Sequence, residues 1–441
     1  MGHDVLIVGG GGREHALAWR LAASPSVSSV ACAPGNPGTD ELGPTYPVAA
    51  ADDPTEVADL AERAGVDFVV VGPEAPLVSG VVDELVRRDI PAFGPTAAGA
   101  AIEASKAFAK EVMLAAGTPT AGHVATDDRA TAQQALESFG PPFVVKADGL
   151  AAGKGVRICE TLAEARDAVD DALVRKRFGE AGSRLVIEEF LHGPERSVFG
   201  VCDGEDVVLL SPAQDYKRAF DGDAGLNTGG MGAFTPVPDF TLADAGHLAD
   251  LVFRPVLRDL AARGTPYRGL LYAGLVQTDT GPFLLEFNAR FGDPEAQVIL
   301  PRLASDLGEL LWASATGSVD DVEVAWHDEA VVTVVLASDG YPERYRTGHP
   351  IDGVASAAVR DGVTIFHAGT ARDDHGRLVT AGGRVLDVTA RGVDVADARQ
   401  RAYAAADAIT WEGMHRRSDI AAGVEPVRRE RTAASRPPPG G

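Results

Sequence analysis

Residues 4–102 carry short apolar runs at 5–8, 30–33, 68–71 and 92–94, separated by helical patterns around 14–22, 56–63 and 81–87. Strands that alternate with helices at this spacing lie parallel, with the helices packed as crossovers on the faces of the sheet. The spacing therefore predicts a doubly wound parallel sheet. Ligands of such a sheet sit at the carboxyl ends of its strands. Those ends carry the glycine run 9–12, then Pro34-Gly35-Asn36, Gly72-Pro73-Glu74 and Gly94-Pro95-Thr96.

The glycine run invites a dinucleotide reading, which fails in detail. Counting G-x-G-x-x-G from Gly9 or Gly10 puts Glu14 or His15 at the third small position, and Ala33-Pro34 stands where the ribose acid belongs. A phosphate at the amino end of the helix starting near Arg13 fits the same turn.

The remaining chain divides by pattern into a block at 103–325, a small α+β unit at 326–424 and a tail at 425–441. The small unit has strand patterns at 331–337, 364–367 and 384–389 and a long amphipathic helix at 396–409. Prolines and glycines crowd the end of the tail, which is expected to be disordered.

Within the central block, one stretch reads Leu285-Glu286-Phe287-Asn288-Ala289-Arg290-Phe291-Gly292-Asp293-Pro294-Glu295. Strand side chains alternate faces, so Glu286, Asn288 and Arg290 are predicted to point the same way. The first two supply hard oxygens suited to Mg²⁺, and the guanidinium adds a planar fork for a carboxylate or phosphate. A half-buried strand with one solvated charged face is the plain alternative.

A second stretch, Phe143-Val144-Val145-Lys146, reads as a strand and runs into Ala147-Asp148-Gly149-Leu150-Ala151-Ala152-Gly153-Lys154-Gly155-Val156. Its small residues let backbone N–H groups approach phosphates, with Lys154 at the tip. No G-x-x-x-x-G-K-[ST] opens a helix here, so a lid over phosphates is the functional model. Taken alone, a Gly-rich hairpin turn accounts for it better.

Further on, a strand at 185–187 leads into Glu188-Glu189-Phe190-Leu191 and His192-Gly193-Pro194-Glu195. Such a connector can present backbone groups to an adenine edge; an edge strand ending in solvated acids fits equally well. Ser105 is a suitable N-cap for a helix reaching Ala116. Residues 225–232 form a second Gly-rich loop, a candidate anion nest beside Gln214-Asp215-Tyr216-Lys217-Arg218. The cluster His415-Arg416-Arg417-Ser418-Asp419 has no assignable chemistry, and a solvated or interdomain role suits it.

Composition sharpens the lysines. Among 40 basic residues only six are Lys, at 106, 110, 146, 154, 176 and 217, and most fall in or beside these motifs. Arg and Lys are not interchangeable, so a Lys retained in an Arg-rich chain points to a need for a compact ammonium. The formal net charge of −24 argues against nucleic acid as a partner and suits a protein dissolved in high salt, a halophilic reading. Three scattered cysteines, Cys32, Cys159 and Cys202, show no metal or redox spacing and read as small buried hydrophobes. No apolar run is long enough to span a membrane, and the reading is a soluble cytoplasmic protein.

These motifs, taken in order from Val5 to about Val424, closely resemble the phosphoribosylamine–glycine ligase (glycinamide ribonucleotide synthetase) family of the ATP-grasp superfamily. The resemblance rests on Gly11-Gly12-Arg13-Glu14-His15-Ala16-Leu17-Ala18-Trp19, Ala33-Pro34-Gly35-Asn36, Val71-Gly72-Pro73-Glu74-Ala75-Pro76-Leu77, residues 146–156, 227–232 and 286–295. It implies an N-terminal doubly wound substrate-binding domain at 1–102, an ATP-grasp domain at 103–325 with a lid at about 120–190, and a C-terminal α+β domain at 326–424. Implied too are a monomer and one reaction, in which ATP, glycine and 5-phosphoribosylamine give glycinamide ribonucleotide, ADP and phosphate.

The resemblance also implies roles. Glu286 and Asn288 would hold Mg²⁺ or Mn²⁺. Lys106, Lys146 and Lys154 would contact the ATP phosphates, with Gly153 and Gly155 in the closing lid. Glu188, Glu189 and Leu191 would meet adenine, Glu195 the ribose, and Lys217 and Asn227 the γ-phosphate side. Lys154, Arg290 and Asp293 would act in catalysis, with Arg290, Gly292 and Asp293 positioning glycine or its acyl phosphate. Gly12, Asn36, Pro73, Glu74 and Thr96 would form the phosphoribosylamine pocket. Tyr216 stands where the family often has His, Leu226 where it often has Pro, and Gln277 where many ATP-grasp enzymes carry another metal carboxylate.

Three rivals share some of these features. Another ATP-grasp carboxylate–amine ligase, a purine-pathway carboxylase or formyltransferase, or a biotin carboxylase would share Glu-x-Asn-x-Arg; the Phe291-Gly292-Asp293-Pro294-Glu295 continuation favours the glycine ligase. A nicotinamide oxidoreductase lacks its third glycine and ribose acid here. A non-catalytic ATP-binding regulator would have no need of metal ligands, lid lysine and Arg290 together.

Overall fold

The computed structural model describes residues 2–151 and 155–424. Its first sheet is wholly parallel, in the order Val27–Pro34, His3–Gly9, Phe68–Val71, Ala92–Phe93. Val5, Leu6, Ile7 and Val8 are all fully buried, which requires cover on both faces. Leu6 and Val8 join Val57, Leu60 and Leu85 on one side, while Val5 and Ile7 pack with Leu17, Leu21 and Leu311 on the other. Local signals set the helix ends: Asp53 accepts from the N–H groups of Thr55 and Glu56, Pro54 opens the helix Pro54–Ala64, and Gly65 closes it at φ +66°. The chain doubles back at His3–Gly9, so the loops after Gly9 and Val71 open side by side, with Gly72 N–H donating to the Val8 carbonyl at 3.1 Å. That crevice is the switch point at which such sheets take ligands.

An antiparallel sheet follows, in the order His123–Thr126, Leu185–Glu189, Phe143–Ala147, Val156–Cys159. Helices Arg129–Phe139 and Leu162–Leu173 pack on it, and Leu136, Val169, Phe143, Val145 and Ile187 make the shared core. Because side chains alternate, Val144, Lys146 and Glu188 are left for the opposite face, where they line a cleft.

The far wall of that cleft is a second antiparallel sheet, Val207–Leu209, Glu195–Asp203, Arg268–Thr278, Gly281–Asn288. The last sheet runs Gln214–Asp215, Gly232–Thr235, Ala330–Ser338, Arg384–Gly392, Val363–His367, with Met414–His415 paired to Ala330–Ser338. Two of these strands precede residue 325, so the central and carboxyl-terminal blocks share one sheet. Among the described residues, no helix is long and apolar enough to cross a membrane.

Candidate active site

The cleft between the two antiparallel sheets has a volume of about 970 Å³ and reaches the switch-point crevice through Arg13, Pro73 and Glu74. It gathers most of the residues that the sequence singles out: Lys106, Lys146, Gly155, Glu188, Glu189, Leu191, Glu195, Lys217, Asn227, Glu286, Asn288, Arg290 and Asp293 all line it. Gly153 and Lys154 lie outside the described residues, as does the tail. Gly12, Asn36, Thr96 and Gly292 are not among the lining residues.

The lysines are placed by a chain of caps and pairs. Ser105 caps the helix Lys106–Ala115 by accepting from Phe108 N–H at 3.1 Å. The Asp148 carboxylate then pins the same helix start, accepting from Ala107 N–H at 2.7 Å and from the Ser105 hydroxyl at 3.0 Å. This brings Lys106 to the end of the strand that carries Lys146. Lys146 Nζ lies 2.8 Å from Glu188 Oε2, and Lys110 Nζ lies 3.3 Å from Oε1, with all three side chains buried. Burial alone would raise the Glu188 carboxyl, but the two ammonium groups outweigh it and hold it below the usual range. Burial pushes Lys110 down to about 8. The strand Leu185–Glu189 lies between two neighbours, so the edge strand with solvated acids is ruled out.

On the facing sheet, the pairing register shifts between Gly274 and Leu275, opposite Leu284 to Glu286. A bulge of this kind re-aims the side chains that follow it. Glu286 and Asn288 both reach the cleft, and so do Leu285 and the largely buried Phe287. The strand ends at Asn288, so Arg290 gets there from a bend and not by strand alternation. Burial would raise the Glu286 carboxyl; Lys217, Lys146, Lys106 and Arg290 together prevail and hold it low.

Arg290 is already engaged by protein carboxylates. Its Nη2 lies 3.0 Å from Glu103 Oε1 and its Nε 3.5 Å from Glu74 Oε2. Asp293 is likewise tied, with Arg384 Nη2 at 2.6 Å on Oδ2 and Gln297 Nε2 at 2.8 Å on Oδ1. Arg384 also donates to the carbonyl of Gly229 at 3.0 Å, joining that loop to Asp293. Next to it Gly230 sits at φ +118°, where a Cβ would fall 2.3 Å from Pro294 Cδ, so only glycine fits.

A third group surrounds Lys217, whose Nζ lies 2.8 Å from Glu195 Oε2. Burial lifts the neighbouring Asp215 carboxyl to about 7; Lys217 opposes the rise, while Glu295 and Glu195 add to it. Glu295 Oε1 in turn accepts from the Tyr272 hydroxyl at 2.9 Å.

The amino-terminal residues serve the loops around the crevice. Asn36 is buried, donates to the carbonyls of Gly10 at 3.0 Å and His367 at 2.8 Å, and accepts from Gly38 N–H. Thr96 caps the helix Ala97–Ala104. A Cβ on Gly12 would fall 2.0 Å from Asp387 Oδ2 and 2.7 Å from Gln297 Nε2, so glycine allows three segments of the chain to meet there.

Known proteins share this arrangement along nearly the whole chain. Residues 3–103 match the phosphoribosylglycinamide synthetase N domain, 104–296 its ATP-grasp (A) domain and 331–423 its C domain. The chain belongs to the phosphoribosylglycinamide synthetase family. A phosphoribosylamine–glycine ligase of Streptomyces coelicolor is 50% identical over 423 residues, which cover 95% of this chain and 98% of that protein. The crystal structure of a phosphoribosylamine–glycine ligase from Thermotoga maritima superposes with a TM-score of 0.81 at 34% identity, covering 95% of this chain and all of that one. A biotin carboxylase domain from Hydrogenobacter thermophilus, solved with the magnesium salt of ADP and with bicarbonate, gives 0.71 at 16% identity over 94% of this chain and 92% of that one. At that identity the likeness is one of fold.

For an ATP-grasp synthetase the donor set fits a magnesium-type ion. Among the described residues, no group of three or more His, Cys, Asp or Glu could hold a metal. Mg²⁺ does not need one, since it commonly takes one or two protein oxygens and leaves the rest to phosphates and water. Glu286 is ionised amid four cations with no hydrogen bond from a described residue, so its oxygens are free to coordinate.

Several residues of the synthetase cleft escape a reading of the sequence. Lys110 carries a signal, because it stands four residues after Lys106 and so on the same helix face. Asp215 stands two residues before Lys217 in the run already singled out, whereas Glu103, Tyr272 and Arg384 carry no signal, since each is brought in by pairing between segments far apart in the chain.

Proposed function

We propose that this chain joins glycine to 5-phosphoribosylamine with cleavage of ATP, giving glycinamide ribonucleotide, ADP and phosphate. The observation that carries the reading is the meeting, in one cleft, of Glu286 and Asn288 with Lys106, Lys146 and Lys217, where the cleft also reaches Pro73 and Glu74 of the parallel sheet. Membership of the synthetase family supports it over the whole chain.

In the first step a glycine carboxylate oxygen attacks the γ-phosphorus, the bond to the β,γ-bridging oxygen breaks, and ADP leaves. In the second, the ribosylamine nitrogen attacks the carbonyl carbon of glycyl phosphate, inorganic phosphate departs and the nitrogen loses a proton. Oxide is a poor leaving group, so phosphorylation is the activating event. The protein's share is positioning and charge stabilisation. Lys106, Lys146 and Lys154 would hold the phosphates, Lys154 from the lid with Gly153 and Gly155. Glu188, Glu189 and Leu191 would border adenine, with Glu188 also keeping Lys146 in place, and Glu195 would face the ribose. Lys217 and Asn227 would flank the γ-phosphate. Glu286 and Asn288 would hold Mg²⁺ or Mn²⁺, which supplies positive charge to the phosphates.

Arg290, Gly292 and Asp293 would orient glycine or its acyl phosphate. Gly12, Asn36, Pro73, Glu74 and Thr96 would shape the ribosylamine side, Asn36 and Thr96 by fixing its loops. On this reading residues 1–102, 103–325 and 326–424 are the substrate, ATP-grasp and carboxyl-terminal domains, and residues 120–190 close over ATP. The partners are small molecules, met by a cytoplasmic monomer. The acidic charge balance supports work at high salt.

Radiolabelled glycine tests the assignment. Label should enter a stable ribonucleotide product only when ATP and phosphoribosylamine are both present. Label from bicarbonate or formate entering instead would move the chain to a carboxylase or formyltransferase.

A further inference from the structure

The polar run His415-Arg416-Arg417-Ser418-Asp419 reaches from the carboxyl-terminal block to a ribbon made of Arg218–Phe220 and Ala224–Asn227. That ribbon is two-stranded and outside the larger sheets. Such a hairpin is at best marginally stable in water by itself. It also has little core of its own, with Phe220 and Leu226 each 52% exposed. Yet Lys217, Arg218 and Asn227 at its base line the cleft, and the Lys217 carbonyl accepts from Thr228 N–H at 2.7 Å and Thr228 Oγ1 at 2.9 Å. Lys217 thus stands between the strand Gln214–Asp215, which the last sheet holds, and the ribbon, so one of its two sides is fixed by whatever holds the ribbon.

Arg417 holds it. Its side chain is 1% exposed. Nη1 donates to the Arg218 carbonyl at 3.1 Å and to Asp223 Oδ1 at 2.8 Å, while Nε and Nη2 grip both oxygens of Asp419 at 2.7 Å. The guanidinium also lies 5.0 Å from the centre of the Tyr216 ring. Neighbouring contacts run in parallel: Asp419 Oδ2 accepts from Gly222 N–H at 2.8 Å, Asp221 Oδ1 from Ser418 N–H at 2.7 Å, and the Tyr216 hydroxyl from Ala421 N–H at 2.9 Å. A planar fork that serves two carboxylates and a carbonyl at once cannot be copied by an ammonium.

We propose that Arg417 is a positioning residue of this enzyme, clamping the ribbon so that Lys217 and Asn227 keep their places in the wall of the cleft. The proposal rests on the reading of Lys217 and Asn227 as the γ-phosphate side. Arg417 is not among the cleft-lining residues and acts through the ribbon. Residues 188–191 and Lys146 hang from a different sheet, so a slack ribbon lowers turnover and spares ATP affinity.

Arg417→Lys in the full-length protein tests this, with three readouts: kcat, ATP Kd by displacement of a fluorescent ATP analogue, and hydrogen exchange by peptide. The expected kcat loss is about tenfold or more, about 1.4 kcal/mol of barrier, with ATP Kd changed by less than about twofold. Exchange should quicken over 218–227 and stay unchanged over 143–147. Asp223→Asn, at a side chain 69% exposed and at a backbone φ of +53° that Asn tolerates, removes the charge that Arg417 meets and should repeat the pattern in smaller measure. Faster exchange with normal kcat overturns the proposal, as does a joint fall of kcat, ATP affinity and melting temperature. Lys217→Met separates the levels. Full turnover in that variant overturns the reading of Lys217 and the clamp with it. Lost turnover there with normal turnover in Arg417→Lys overturns the clamp alone.

Discussion

Lys146 Nζ and Glu188 Oε2 meet at 2.8 Å with both side chains buried, and Lys110 closes on the other carboxylate oxygen. One carboxylate thus compensates two ammonium groups at the wall of the cleft. Glu188→Gln takes from both their hydrogen-bonded counter-charge and leaves only the more distant Glu286. Removing one partner of a buried pair typically costs about 3–5 kcal/mol. We predict a lower melting temperature together with weaker ATP binding, read by thermal denaturation and nucleotide titration. A variant as stable as the parent, with unchanged ATP affinity, would show that the pair is dispensable.

Glu286 is surrounded by Lys217, Lys146, Lys106 and Arg290 and stays ionised despite its burial. Glu286→Gln keeps the shape and removes the charge. Turnover at saturating Mg²⁺ should fall by about a hundredfold or more, the scale on which loss of one electrostatic stabiliser is felt. Metal-free ATP binding should persist. A near-parental rate across a Mg²⁺ titration would take Glu286 out of the metal site.

Asp387 lies inside the molecule beside Asp293; burial and that second carboxylate lift it from 3.8 to about 7. An acid whose folded value lies above its ordinary one holds its proton more tightly in the native state. The resulting stabilisation is complete below about pH 4 and is lost as the pH rises toward about 7. Asp387→Asn abolishes that loss. The variant should gain in melting temperature over the parent at pH 8, by about 1 °C for each kcal/mol in a chain of this length, and gain less at pH 5. A gain equal at both values, or larger at pH 5, contradicts the assignment.

The net charge of −24 strains a folded chain by self-repulsion, which salt relieves. Raising KCl from about 0.1 M to about 1 M shortens the screening length from about 10 Å to about 3 Å. The melting temperature should climb over that range. A flat or falling series would remove the salt-loving reading.

Much of this was legible in the sequence because the signals are local. The apolar run Phe68–Val71 and the helix Val81–Arg87 fall where periodicity puts them, and the Ser105 cap follows from its side chain. Glu286 and Asn288 both line the cleft, but so do their neighbours Leu285 and Phe287, because a bulge interrupts the strand there and simple alternation does not hold. What stayed hidden is what depends on distant pairing. The strand Gly232–Thr235 joins Ala330–Ser338 across about a hundred residues, and no local pattern records that. Glu188 looked equally suited to a solvated edge, because its lysine partners come from another helix and another strand. Arg384 and Arg417 act on segments more than 90 residues away in the chain, Asp293 and Asp223, so their roles belong to the tertiary structure alone.

The most direct test is ADP release by the purified protein with ATP, Mg²⁺ and phosphoribosylamine, with and without glycine, at low and high KCl. Release should require glycine and yield glycinamide ribonucleotide as product. Silence at every salt concentration, from protein shown to be folded and to bind ATP, would contradict it.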